Sequence, residues 1–142
     1  MDRPIMLDAG PLGMIIHPRA NVEVTNWFHL MLKQDTVIII PEIADYEVRR
    51  NLVLENLEKS IARLDQLEGK LRYQPLKTTA MRRAAELWAR ARRGGYPTAD
   101  MRSLDADVIL AAQAEEAKAV VATENVGHLS RFVEAKNWRE IA

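Results

Sequence analysis

Three short stretches of the chain are almost continuously apolar. Residues 5–7 (Ile-Met-Leu) stop at Asp8, residues 36–40 (Thr-Val-Ile-Ile-Ile) stop at Pro41, and residues 119–123 (Ala-Val-Val-Ala-Thr) stop at Glu124-Asn125. Runs this short and β-branched, with no alternating polar positions, predict strands of a parallel sheet covered on both faces. Apolar positions at spacings of three and four separate them. Residues 21–33 carry Val24, Trp27, Phe28, Met31 and Leu32 on one stripe. Residues 42–71 are charged, with Leu52, Leu57, Ile61, Leu64 and Leu67 in register, and are long enough for two helices. Residues 78–93 hold Met81, Ala85, Leu87 and Trp88 and stop at Gly94-Gly95, a helix-ending signal. Residues 104–118 hold Val108, Ile109, Ala111 and Ala112. Strands alternating with helices predict an α/β sandwich of the doubly wound type. Residues 73–76 and 137–141 are candidates for short edge strands.

Composition narrows the chemistry. The 142 residues suit one domain over 1–142, and 48% hydrophobic with 28% charged residues is a globular mix. Lys plus Arg is 20 and Asp plus Glu is 20, a formal net charge of zero. That excludes coating nucleic acid by bulk charge, though not a local basic patch. With no cysteine there is no disulfide, no thiolate nucleophile and no Cys-based metal site. Three scattered histidines leave any metal to oxygen ligands, which favours magnesium or manganese. The apolar run before Asp8 is too short for a signal peptide or a membrane span, so a cytoplasmic protein is expected.

Active sites of open parallel sheets gather at the carboxyl ends of the strands. Asp8 ends the first strand, Glu42, Asp45 and Glu47 follow the second, and Glu124 and Asn125 follow the third. Asp105 and Asp107 open the helix before the third strand. Clustered carboxylates repel one another unless a cation neutralises them. Asp8 divides evenly between such a site and a helix cap or turn brace. Glu42 and Asp45 lie in a first helical turn begun by Pro41, where acids favour the helix dipole. Glu47 lies deeper, about 140° round from Glu42, and is not a cap. Asp105 and Asp107 are about 200° apart, so one is expected to cap and the other to face the site.

In order and spacing the chain resembles the PIN domain family, the metal-dependent nuclease fold that includes VapC-type toxins. Met6-Leu7-Asp8-Ala9-Gly10-Pro11-Leu12 resembles its first acidic motif, and Ile40-Pro41-Glu42-Ile43-Ala44-Asp45-Tyr46-Glu47 its second, with Glu47 at the matching position. Asp107-Val108-Ile109-Leu110-Ala111-Ala112-Gln113-Ala114 resembles the third, and Val121-Ala122-Thr123-Glu124-Asn125 the fourth. The resemblance implies a three-layer α/β/α sandwich with a mainly parallel central sheet. It implies a Mg2+- or Mn2+-dependent endoribonuclease, possible as the toxin of a toxin–antitoxin pair. Asp8, Glu47 and Asp107 would bind the metal, with Asn125 as a fourth polar member. Arg49, Arg50, Thr123 and His128 are candidates for substrate contact, Thr123 also for positioning the acids. RNA, an antitoxin protein and a second copy of the chain are the implied partners.

The chain departs from the family at Gly10-Pro11, where a polar residue is common, and at His128-Leu129, where Asp-Phe is common. These departures motivate an alternative, a PIN-type module that binds nucleic acid with weak or no catalysis. A receiver- or flavodoxin-like domain is disfavoured by the lack of a phosphate-binding loop and of a lysine after a late strand. The arginines at 82, 83, 90, 92 and 93 read as a solvated helix face, with Arg83–Glu86 and Arg90–Glu86 as ordinary helical pairs. The Trp27 stripe reads as core, with a share available to a homodimer.

Overall fold

The structure, a computed structural model, describes residues 2–19, 21–95 and 101–142. Five strands form one sheet: β1 (Ile5–Leu7), β2 (Ile38–Pro41), β3 (Arg72–Gln74), β4 (Val120–Thr123) and β5 (Ala135–Asn137). All pairings are parallel and the spatial order is β3-β2-β1-β4-β5. The helices are α1 (Ala9–Ile16), α2 (Val22–Lys33), α3 (Glu42–Leu54), α4 (Glu58–Lys70), α5 (Thr78–Arg93), α6 (Met101–Ala117) and α7 (Val126–Leu129).

Successive strand side chains point to opposite faces, which divides the core in two. Ile5, Leu7, Ile38, Ile40 and Ala122 face Leu12, Val24, Trp27, Phe28, Met31 and Leu64 of α1, α2 and α4. Met6, Ile39 and Val121 face Leu110 and Ala114 of α6 and Leu129 of α7. Helix α5 packs outside α6 through Ala80, Ala84, Leu87 and Ala91 against Leu104, Val108, Ala111 and Ala112. Small residues there let the two helices approach closely. The result is the three-layer α/β/α sandwich around a parallel sheet that the resemblance implies.

Several local features differ from expectation. Of the two structural readings of Asp8, the helix cap holds and the turn does not: residues 9–13 start α1, and Pro11 is tolerated because it sits in the first turn, where its missing N–H has no helical partner. Residues 42–71 are two helices, as their length allowed. The break falls at Asn56, whose φ of 56° lies in the left-handed region that asparagine tolerates. Helix α6 starts at Met101, before Asp105 and Asp107, so neither acid can cap it. Of residues 137–141 only Asn137 is in a strand; Trp138–Glu140 turn as a 3-10 helix. The indole of Trp138 lies 5.7 Å from that of Trp27, whose Nε1 donates to the carbonyl of Ile141 at 2.9 Å. Leu32 leaves the Trp27 stripe and is 41% exposed.

Helix α3 begins at Pro41, which has no side chain able to cap it. The missing acceptor comes from another element. Gln113 of α6 is fully buried, and its Oε1 accepts from the Ile43 N–H at 3.3 Å. Its Nε2 donates to the carbonyls of Gln74 (3.0 Å) and Pro75 (3.4 Å), and Gln74 Nε2 donates back to the Gln113 carbonyl at 2.9 Å. The carboxylate of Glu42 accepts from the Leu76 N–H at 2.7 Å. These bonds fix α3, α6 and the chain after β3 to one another.

Replacing Gln113 with Leu leaves the Ile43 N–H and the Gln74 carbonyl without this partner inside the protein. The expected loss is about 2 kcal/mol of stability, read as a lower denaturation midpoint with unchanged slope.

Candidate active site

The strand order reverses between β1 and β4, and the carboxyl ends of these neighbours carry the first polar groups. Leu7 pairs with Ala122, and the Asp8 N–H donates to the Ala122 carbonyl at 3.0 Å. Asp8 leaves the sheet as the N-cap of α1, its Oδ1 accepting from the Ala9 N–H at 2.8 Å. Its Oδ2 accepts from the Thr123 hydroxyl at 2.7 Å. The same hydroxyl accepts from the Asn125 N–H at 2.8 Å. Asp8 is therefore both a cap and a member of the polar cluster, because its two oxygens serve different partners. Thr123 is fully buried and its hydroxyl is committed on both sides. Its hydrogen bond to Asp8 suits the positioning role expected of it.

Glu47 stands on α3 and Asp107 on α6, the two helices that Gln113 ties together. Burial pushes the Glu47 carboxyl up to about 7, and the negative charges of Asp8 and Asp107 push in the same direction; Arg50 opposes them. Three acids from three elements thus share one electrostatic environment. Among the described residues, no three Asp, Glu or His side chains are close enough to enclose an ion as they stand. A cleft of about 420 Å³ opens beside Glu47, lined by Ile43, Tyr46, Arg50, Ser103, Asp105, Ala106 and Ile109.

The other expected residues take different places. Arg49 does not line this cleft. Its guanidinium is held by Asp45 (2.9 Å), Asp65 (2.8 Å) and Glu68 (3.5 Å), fastening α3 to α4. Burial pushes the Glu68 carboxyl up to about 8, with Asp45 adding to the effect and Arg49 opposing it. Asp45 is itself buried, yet Arg49 and Glu68 hold its carboxyl below the usual range. Arg50, one residue on, lies with its guanidinium 5.2 Å from the centre of the Tyr46 ring. Asn125 is exposed at the start of α7, and His128 is exposed at its end and does not line the cleft. Arg83 bridges to Glu115 of α6 (2.8 Å) and Glu86 (3.2 Å), a structural use of one member of the α5 arginines.

Tyr46 was not singled out from the sequence; Asp105, weighed there as a cap or a site residue, lines the cleft, and Glu124, noted there only as following the third strand, has a bracing role. Tyr46 precedes Glu47 and has an arginine four positions on, a spacing that marks one helix face. Glu124 fastens the loop after β4, its carboxylate accepting from Trp138 Nε1 at 2.7 Å and Arg139 at 3.2 Å. A partner 14 positions away leaves no local signal.

Because Glu47 takes up a proton in the folded state well above its ordinary value of 4.5, the folded protein binds more protons than the unfolded chain between about 4.5 and 7. Its contribution therefore weakens folding as pH rises through that window and is constant above it. Glu47→Gln is expected to raise the melting temperature relative to wild type at about pH 8, in chelator, and to do so far less at about pH 4.5. Paired thermal melts across that range check it; an equal difference at both ends would contradict it.

The PIN domain family matches residues 5–132 of the chain. No curated protein sequence is significantly similar to it. Among solved structures, it is similar to a chain of FitAcB from Neisseria gonorrhoeae, at 23% identity with 96% of this chain and 99% of that one covered and a TM-score of 0.76. A chain of VapBC2 from Rickettsia felis, bound to a DNA fragment from its promoter, is 19% identical over 94% and 98%, with a TM-score of 0.76. A chain of DNA-bound VapBC from Salmonella typhimurium is 20% identical over 96% and 98%, with a TM-score of 0.73. The likeness to these structures is one of fold. With the family match spanning nearly the whole sheet and its four acidic segments in order, the chain belongs to the PIN domain family.

Proposed function

We propose that the chain is a divalent-metal-dependent endoribonuclease and the toxin member of a toxin–antitoxin pair. The observation that carries this reading is the grouping of Glu47 with Asp8 and Asp107, whose charges add to burial in pushing the Glu47 carboxyl up to about 7 against the opposing charge of Arg50. Acids brought together at such a cost call for a cation, and their hard oxygen donors fit magnesium or manganese. The open spacing of the acids suits an ion that keeps several of its waters. Asp8, Glu47 and Asp107 would hold it, with Asn125 beside them and Thr123 keeping Asp8 in place.

When bound, such an ion would supply water activation and stabilisation of charge on the phosphodiester. The protein's own residues do the positioning. Asp8 is fixed by two hydrogen bonds from different elements, so its carboxylate is oriented before any ligand arrives. Arg50 at the cleft edge contacts the phosphate backbone of the RNA. The solved neighbours are named as VapBC and FitAB complexes, which supports an antitoxin partner here. His128 and Asn125, exposed in the segment after β4, would contact RNA in either a catalytic or a binding-only protein.

The test uses purified protein free of antitoxin and single-stranded RNA. Cleavage is expected with Mg2+ or Mn2+, to stop on chelation, and to fall about 100-fold or more in Asp8→Asn and Asp107→Asn with the fold intact by circular dichroism. Thr123→Val is expected to weaken Mn2+ binding about tenfold in a calorimetric titration, because Asp8 loses the donor that orients it. RNA binding without cleavage under either metal would support the binding-module reading instead.

A further inference from the structure

The acidic cleft does not end at Glu47. It runs into a larger and mostly apolar groove of about 630 Å³, and Ile43, Tyr46 and Arg50 belong to both. Val53 and Leu76 extend the apolar wall, and Glu42, Asp45 and Arg49, all three engaged in contacts within the protein, complete the lining. Tyr46 stands at the junction and is 55% exposed, a large aromatic ring left in solvent beside a charged site. Arg50, four positions later on α3, covers one face of the ring at 5.2 Å. That contact holds the ring in place without burying it.

We propose that this groove is a nucleobase subsite, in which an unpaired base of the strand stacks on Tyr46 while Arg50 contacts the adjoining phosphate. The inference rests on the ribonuclease reading above and adds what the strand must look like. A base stacks on the aromatic face that Arg50 leaves open, and the apolar wall of Val53 and Leu76 suits its edge. The charge of Arg50 complements the phosphate rather than the base. Because the same three residues bound both cavities, a base seated here belongs to a nucleotide close to the phosphodiester at the acids. A base within a duplex is stacked on its neighbours and cannot enter, so the site selects single-stranded or looped RNA. Stacking uses the π face that every base has, which predicts weak preference among bases at this position.

The test places 2-aminopurine in a short single-stranded oligoribonucleotide and follows its fluorescence and anisotropy with Asp8→Asn protein, which binds without cleaving. Stacking quenches the probe. Quenching is expected with Tyr46 present, is retained in Tyr46→Phe, and is lost in Tyr46→Leu together with about tenfold in affinity. Arg50→Gln is expected to reduce the dependence of affinity on salt. Circular dichroism confirms that Tyr46→Leu is folded. Equal binding and quenching in Tyr46→Leu and its parent would overturn the proposal and leave the groove to a protein segment. Cleavage by otherwise wild-type protein carrying Tyr46→Leu, at the unaltered rate, would overturn the subsite while leaving the ribonuclease reading standing. Protein that neither binds nor cleaves RNA would remove both.

Discussion

The pairing of β1 with β4 is the contact on which the site depends. These strands are adjacent in the sheet although the residues they carry are more than a hundred positions apart in sequence. Both are buried on both faces, so their pairing lies inside the sandwich, away from solvent. The register brings Asp8 beside Thr123, and one hydroxyl then bridges the Asp8 carboxylate to the loop that carries Asn125. Helices α3 and α6 add Glu47 and Asp107, and the buried Gln113 amide ties those two helices together. The polar cluster is thus assembled by contacts that are mainly apolar or backbone in kind.

Two neighbouring arginines illustrate how one helix divides its work. Successive residues on a helix point about 100° apart, so Arg49 and Arg50 turn to different partners although both border the same groove. Arg49 meets three carboxylates between α3 and α4 and is used up there. Arg50 turns to the cleft, where it partly offsets the acids and lies over Tyr46. A chain of zero net charge therefore gathers its acids locally: three carboxylates meet Arg49 between α3 and α4, and Arg50 only partly offsets the acids around Glu47.

The three central strands and the main helices were legible because each depends on its own local pattern. The parallel sheet followed from the absence of alternation in those strands. Asp8, Glu47 and Asp107 were legible as strand-end and helix acids, and the family motifs placed them in order. What the sequence concealed depends on partners far away in the chain. The helical state of residues 9–13 was masked by two glycines and a proline, and is secured by the Asp8 cap. The commitment of Thr123 to Asp8 is a contact across 115 positions, and that of Arg49 to Asp65 one across 16. The start of α6 at Met101, three residues ahead of Leu104, lies within the usual uncertainty of helix ends read from apolar spacing.

The separation of Asp8 from Thr123 also has a consequence for the chain as it is made. Asp8 leaves the ribosome 115 residues ahead of the hydroxyl that holds its carboxylate in place. Until that later strand has been made, β1 has no β4 to pair with, however stable the early helices are. The order of synthesis therefore makes β4 the element that completes the cleft, and a chain stopped short of it carries the acids without their arrangement.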